Sequence, residues 1–286
     1  MRSNLALLTL IAGSALNACA TQTAAVGESS PSASQAADPA IGELNEHHRH
    51  HHHGGVTQFV SMALETLGLD DAAKRPQLDQ VQRDLRACML PARDVERDLL
   101  RVLADGVAAA TVDAPRADAT IARLNVAALA VNDCSADALN HLHAILSPTE
   151  RAALVDKVQA HWDVWRQVNH EDGGRLTDLA DELALTPTQV EQLSGALHAA
   201  MSGFGERFDA KKAEAHVQAF SAAFADDSFD ARTVLGNANG LLATHGSARM
   251  ALFYETVTPL LTQEQRGVLA EHLREHASHS PAVSFN

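Results

Sequence analysis

Three segments of this 286-residue chain spell out the same helix start. Ser147-Pro148-Thr149-Glu150, Thr186-Pro187-Thr188-Gln189 and Thr262-Gln263-Glu264-Gln265 each place a hydroxyl three residues ahead of a Glu or Gln. The hydroxyl oxygen accepts from the amide three positions on. The Glu or Gln side chain in turn accepts from the cap amide, so two otherwise orphaned backbone donors are satisfied. Pro148 and Pro187 stand at the first helical position, where a missing N–H is harmless. Leu146, Leu185 and Leu261 precede the caps and can pack as the outer half of a hydrophobic staple.

A chain punctuated in this way must fold as helices, and the apolar periodicity agrees. Leu78, Val81, Leu85 and Met89 mark one face at helical spacing. Ile121, Leu124, Ala128 and Val131 mark another, and Leu154, Val158, Trp162 and Trp165 a third. No stretch of useful length alternates apolar and polar residues. The expected fold class is therefore all-α, built as helical hairpins with flanking helices.

The pattern also recurs at long range. A shift of 115 brings Leu146 onto Leu261, Glu150 onto Gln265, Arg151 onto Arg266 and Leu154 onto Leu269. A shift of 112 brings Gln77 onto Gln189, Leu85 onto Leu197 and Met89 onto Met201. That period far exceeds the units of stacked solenoids, and two similar helical units fit it better, residues 54–168 and 169–280. Each is expected to begin with a short helix (about 56–67 and 175–184). A long second helix follows, interrupted at Pro91 in the first unit and around Gly203 and Gly205 in the second. Polar turns near 111–116 and 226–230 lead into a third helix, and the capped helix closes each unit.

Residues 1–18 read as a secretory signal, with Arg2 ahead of an apolar stretch too short to span a bilayer. The run Leu16-Asn17-Ala18-Cys19 resembles the lipobox of bacterial lipoproteins and makes Cys19 the expected lipidation site. Residues 19–53 are expected to be a flexible tether, poor in large apolar side chains and ending in a His-rich run. With Ala20 and Thr21 behind the cysteine, the expected location is the periplasmic face of the outer membrane, with the lipid as the only membrane contact. The whole chain carries 22 Lys+Arg against 36 Asp+Glu, a formal net charge of -14. That balance argues against nucleic acid as a partner, since coating phosphates requires the opposite sign.

The Leu-Thr-x-x-Gln segments Leu185–Gln189 and Leu261–Gln265 resemble the signature of the Spy/CpxP family of periplasmic proteins. Leu146-Ser147-Pro148-Thr149-Glu150-Arg151 is a relaxed copy, and Leu69-Asp70-Asp71-Ala72-Ala73 a degraded fourth. The resemblance covers each unit almost end to end. It implies a long helical hairpin with flanking helices, and action as an ATP-independent chaperone or envelope-stress protein toward unfolded or partly folded envelope proteins. It also implies relatives whose histidine-rich tails bind zinc, nickel, cobalt or copper. This chain departs in carrying two units and in its acidic charge, where the family's best-known client surface is basic.

Within the tether, His47, His48, His50, His51, His52 and His53 form the sharpest local signal. Neutral imidazoles are good ligands for zinc, nickel and copper, and a flexible run can offer several without a preformed pocket. Glu43 and Glu46 add oxygen ligands. A solvated spacer and an appended tag are the bland readings; Arg49 and the internal position speak against the tag. His272, His276 and His279 form a second, weaker group on the last helix. His141 and His143 read as ordinary, and His161 as a surface residue.

Cys88 and Cys134 lie about equally far from the turn near residue 113 and are opposed if the flanking helices run antiparallel. A disulfide between them would contribute on the order of 4 kcal/mol by the chain-entropy estimate; two small buried side chains are the alternative. Asp226, Asp227 and Asp230 read as helix caps. Trp162, Trp165, Phe220, Phe224, Phe253 and Tyr254 read mostly as core, with a minority lining a client groove. No nucleophile elbow, phosphate loop or dinucleotide fingerprint occurs, so an enzyme is not expected. Three functions remain. The first is a chaperone needing no cofactor. The second is a divalent-metal buffer or sensor acting through residues 47–53, and the third a structural or adaptor lipoprotein.

Overall fold

A computed structural model describes residues 53–68, 71–170, 176, 179–204, 210–236 and 238–278. Among the described residues the chain is all-α, with no strand. The helices run in the order α1 (Gly55–Thr66), α2 (Arg75–Ala108), α3 (Ala114–Ile145), α4 (Pro148–His170), α5 (Pro187–Ser202), α6 (Ala210–Ala225), α7 (Ala231–Leu235), α8 (Ala238–Val257) and α9 (Gln263–Ser278). A 3-10 turn, Thr258–Leu260, joins the last two, and residues 176 and 179–182 are also helical. The signal, Cys19 and His47 to His52 lie outside the described residues.

The caps form where the local sequence placed them. Thr186 Oγ1 accepts from the Gln189 amide at 3.3 Å, and the Thr186 amide donates to Gln189 Oε1 at 3.1 Å. Thr262 and Gln265 repeat this at 3.3 and 2.9 Å, and Ser147 and Glu150 at 3.4 and 2.7 Å. Leu146 and Leu261 ahead of two of these caps are buried.

α2 and α3, each about 50 Å long at the helical rise, form an antiparallel hairpin that spans the fold. α2 ends through Ala110 at φ 64°, and Asp113 caps α3 by accepting from the Arg116 amide at 3.1 Å. Gly106 permits that tight reversal, because a Cβ there would come within 2.7 Å of the Val112 Cα. One expectation is corrected here. α2 is continuous from Arg75 to Ala108 with Pro91 inside it, whereas in the second half the chain does break, α5 ending at Ser202 ahead of Gly203.

Two large apolar clusters occupy the two ends of the hairpin. One joins α1, the start of α2, the end of α3, α4, α6 and α7, with Leu85, Leu139, Leu154, Trp162, Phe220 and Phe224 fully buried. The other joins the end of α2, the start of α3, residues 179–183, α5, the end of α8 and α9. A small third cluster, Met89, Ala92, Leu124, Ala128, Val131 and Ala243, sits between them. Both large clusters mix residues from the two halves of the chain.

The buried positions of the two clusters correspond. Val81 and Leu85 of the first stand 112 residues before Leu193 and Leu197 of the second. Ala136, Leu139, Leu142 and Leu146 stand 115 before Ala251, Tyr254, Val257 and Leu261, and Leu154 and Val158 stand 115 before Leu269 and Leu273. Where α3 and α8 cross, Gly240 lies so close that a Cβ would meet Asn125 Oδ1 at 2.5 Å and Leu129 at 2.9 Å.

Candidate functional site

The described part of the fold brings sequence-singled residues together at three places. The first is where the His-rich run enters the body. His53 is the one member of the run among the described residues, and it is 6 % exposed. Its Nδ1 donates to Glu96 Oε2 at 2.6 Å, and Glu96, on α2, is 1 % exposed. An ionised carboxylate at such a depth is tolerated only when it is paired or hydrogen-bonded. The next residue, Gly54, has no room for a side chain, since a Cβ would lie 2.5 Å from Met89 Sδ. α1 then runs inward with residues 55 to 63 all buried. Its polar side chains find partners: Thr57 hydrogen-bonds Ser135 at 3.1 Å, and Ser61 accepts from Gln82 Nε2 at 2.9 Å.

The second place is the middle of the hairpin, where Cys88 and Cys134 are disulfide-bonded with Cα atoms 5.5 Å apart. Cys88 is half-buried and Cys134 exposed.

The third is where the capping motifs meet. Gln189 Nε2 donates to Gln265 Oε1 at 2.8 Å, and the same two side chains reach the Leu260 and Leu183 carbonyls at 3.4 and 3.2 Å. At the other end of the fold Lys74 Nζ donates to Glu150 Oε2 at 2.5 Å. Lys74 and Glu150 stand 115 residues before Gln189 and Gln265. The hydrogen bond from Lys74, followed by those from Ser147, lowers the Glu150 carboxyl to about 2. Sequence reading missed Lys74, having placed the degraded motif at Leu69–Ala73. In the 112 register that matches the buried positions of α2 and α5, Lys74 falls on Thr186 and Gln77 on Gln189, so no pattern in the sequence marked Lys74 as the partner of Glu150.

Other sequence-singled residues are structural. Asp230 caps α7 by accepting from the Arg232 amide at 3.2 Å and from Thr233 Oγ1 at 2.6 Å, which holds its carboxyl below the usual range. Asp227 accepts from the buried Arg151 at 2.8 Å, and the Asp226 carbonyl accepts from His143 Nε2 at 2.8 Å. His143 stacks on Phe229 with centroids 5.2 Å apart. Trp162, Trp165, Phe220, Phe224 and Tyr254 are buried, and Phe253 is partly buried against the second cluster. His161 is fully buried, not a surface residue. It shares α4 with Trp162, which packs into the first cluster, and α4 is covered there by α1 and α6.

His272 pairs with Glu182, and His279 lies outside the described residues. Among the described residues, no group of three or more His, Cys, Asp or Glu side chains converges as a metal site. No helix among them is long and apolar enough to cross a membrane. Among the described residues, the large apolar side chains that are exposed are Leu90, Val126 and Val268, on three different helices, with Val126 at 68 %.

Fold and site together define an all-α protein with a disulfide-stapled central hairpin and paired helix starts at its ends. Comparison with protein-family models, with curated proteins and with solved structures finds no match to this chain.

Proposed function

We propose that this chain is an envelope lipoprotein of two Spy/CpxP-like helical units, tethered through Cys19, that holds unfolded or partly folded envelope proteins without ATP. The observation that carries the reading is the pairing of helix starts. Gln189 with Gln265, and Lys74 with Glu150, bind at the same separation in the chain, one pair at each end of the fold. The equivalent burial at positions 112 and 115 apart supports the two-unit reading in the same way. A disulfide on an accessible face suits an oxidising compartment. No catalytic step belongs to this reading. The acidic field favours encounter with basic client segments.

The test is aggregation of a reduced or thermally unfolding client at near-stoichiometric ratio, using protein from which residues 47–52 have been removed and His53 kept on Glu96. Slowed aggregation that weakens with added salt is expected. Unchanged aggregation overturns the chaperone reading.

Divalent-metal buffering or sensing is the second reading, and the anchoring of His53 favours it. A run fixed at one end loses less freedom on closing around an ion than one free at both. Titration calorimetry with zinc, nickel and copper should show binding that disappears when His47 to His52 are replaced, and binding retained in full would move the ligands elsewhere. A chain that fails both tests is left as a structural or adaptor lipoprotein, identified by a specific partner.

A further inference from the structure

We propose that the Cys88–Cys134 disulfide is a redox-controlled clamp across a hinge built into α2 at Pro91. The inference is independent of client or metal binding.

Pro91 lies one helical turn beyond Cys88, inside an otherwise unbroken helix. Proline has no N–H, so the Ala87 carbonyl loses its helical donor, and the pyrrolidine ring crowds that same carbonyl. The corresponding place in the second half shows what the chain does without a clamp. Pro91 stands 112 residues before Gly203, where α5 has ended, and the next helix starts at Ala210. The positions corresponding to the two cysteines are Ala200 and Arg249 there, so no such bond can form. The half with the covalent bond has the continuous helix, and the half without it has the break.

Non-covalent support at Pro91 is slight. Met89 and Ala92 belong to the small third cluster, while the large clusters grip α2 well before and well after it. The entry to α1 bridges the same point. Gly54 packs on Met89 before the proline, and His53 binds Glu96 after it. Bending α2 at Pro91 parts one of these contacts, so opening the hinge loosens the seat of His53.

Cys134 is the more exposed of the two residues, and attack by a reductant is assigned to it. A thiolate of a dithiol donor attacks Cys134 Sγ, and the S–S bond breaks with Cys88 leaving as a thiolate. The donor's second thiolate then displaces Cys134 from the mixed disulfide. Two electrons pass from the dithiol to the cystine; the donor ends as a disulfide, and Cys88 and Cys134 each take up a proton.

Amide hydrogen exchange on the full chain, oxidised and then in excess dithiothreitol, tests this. Exchange in peptides covering residues 84–95 is expected to rise at least about tenfold on reduction while residues 154–165 of α4 stay unchanged, a local opening and not global unfolding. Reoxidation should reverse it. Cys88→Ser with Cys134→Ser should reproduce the reduced pattern, and Pro91→Ala, which restores the missing donor, should abolish the rise. The proposal is overturned by an unchanged 84–95 segment, by a rise shared equally with α4, or by a Pro91→Ala variant that responds as the natural protein does.

Discussion

Gln189 and Gln265 bind each other through their side-chain amides, 2.8 Å in one direction and 3.4 Å in the other, and each also caps its own helix. One side chain thus satisfies its own helix start and joins it to another. At the opposite end of the fold Glu150, which also caps its own helix, accepts instead from Lys74 at the start of α2, an ion pair in place of an amide pair.

This exchange of charge for amide is open to test. Glu150→Gln is expected to cost about 1 kcal/mol, the scale of a partly exposed ion pair, because Gln still serves the cap but leaves Lys74 without its anion. Lys74→Gln combined with Glu150→Gln should recover part of that loss, since no ammonium is then left facing a neutral amide. The pH dependence has a definite sign. The folded Glu150 carboxyl is lowered to about 2 from 4.5, so its contribution is complete above the unfolded value and is lost as pH falls from there toward 2. Urea midpoints at pH 7 and pH 2 should differ between natural protein and Glu150→Gln at the first and converge at the second.

The glycines divide by what surrounds them. At Gly240 an added methyl collides with Asn125 and Leu129 where α8 crosses α3, so Gly240→Ala should destabilise by about 1–3 kcal/mol. Gly195 in α5 and Gly267 in α9 face open space inside helices. Alanine at either should stabilise by about 0.5–1 kcal/mol through helix propensity. Thermal midpoints of the three variants must move in these opposite directions.

How much of this could be read from the sequence follows the range of the interactions. The caps at Ser147, Thr186 and Thr262 were legible because donor and acceptor lie three residues apart. Trp162 and Phe220 announced the core by helical spacing. The unbroken α2 was not legible, since local rules make Pro91 a stop and only partners distant in sequence hold the helix across it. Glu96 was equally hidden: a glutamate between charged neighbours reads as a solvated face, and its burial comes from His53, 43 residues earlier. The burial of His161 likewise depends on what packs over α4. The histidines most suggestive of chemistry, His47 to His52, lie outside the described residues, so the metal reading still rests on their sequence.

The His53–Glu96 contact should matter more to stability than its surface-like sequence suggests. Glu96→Ala removes a buried hydrogen-bonded partner and leaves the His53 Nδ1 without that acceptor, at a cost of about 3 kcal/mol. Glu96→Gln keeps the shape and an acceptor oxygen and should cost less. Limited proteolysis offers a local check, because cleavage at the junction near residue 54 should accelerate in Glu96→Ala before the urea midpoint is reached.

Glu255 makes the opposite case, a carboxylate the fold disfavours. Burial first, and the charge of Asp118 second, raise its pKa above the ordinary 4.5. The folded protein then holds that proton more tightly than the unfolded chain does. The ionised form carries a penalty that is complete above the folded pKa and absent below the unfolded one. Glu255→Gln removes it and should stabilise by a few tenths of a kcal/mol (~0.5) at pH 7, solvent screening keeping the gain small. Below pH 4 the gain should vanish. Asp118→Asn relieves only the lesser cause and should gain less. Urea titrations of both variants at pH 7 and pH 4 test that order, and a larger gain from Asp118→Asn would make repulsion, not burial, the dominant cause.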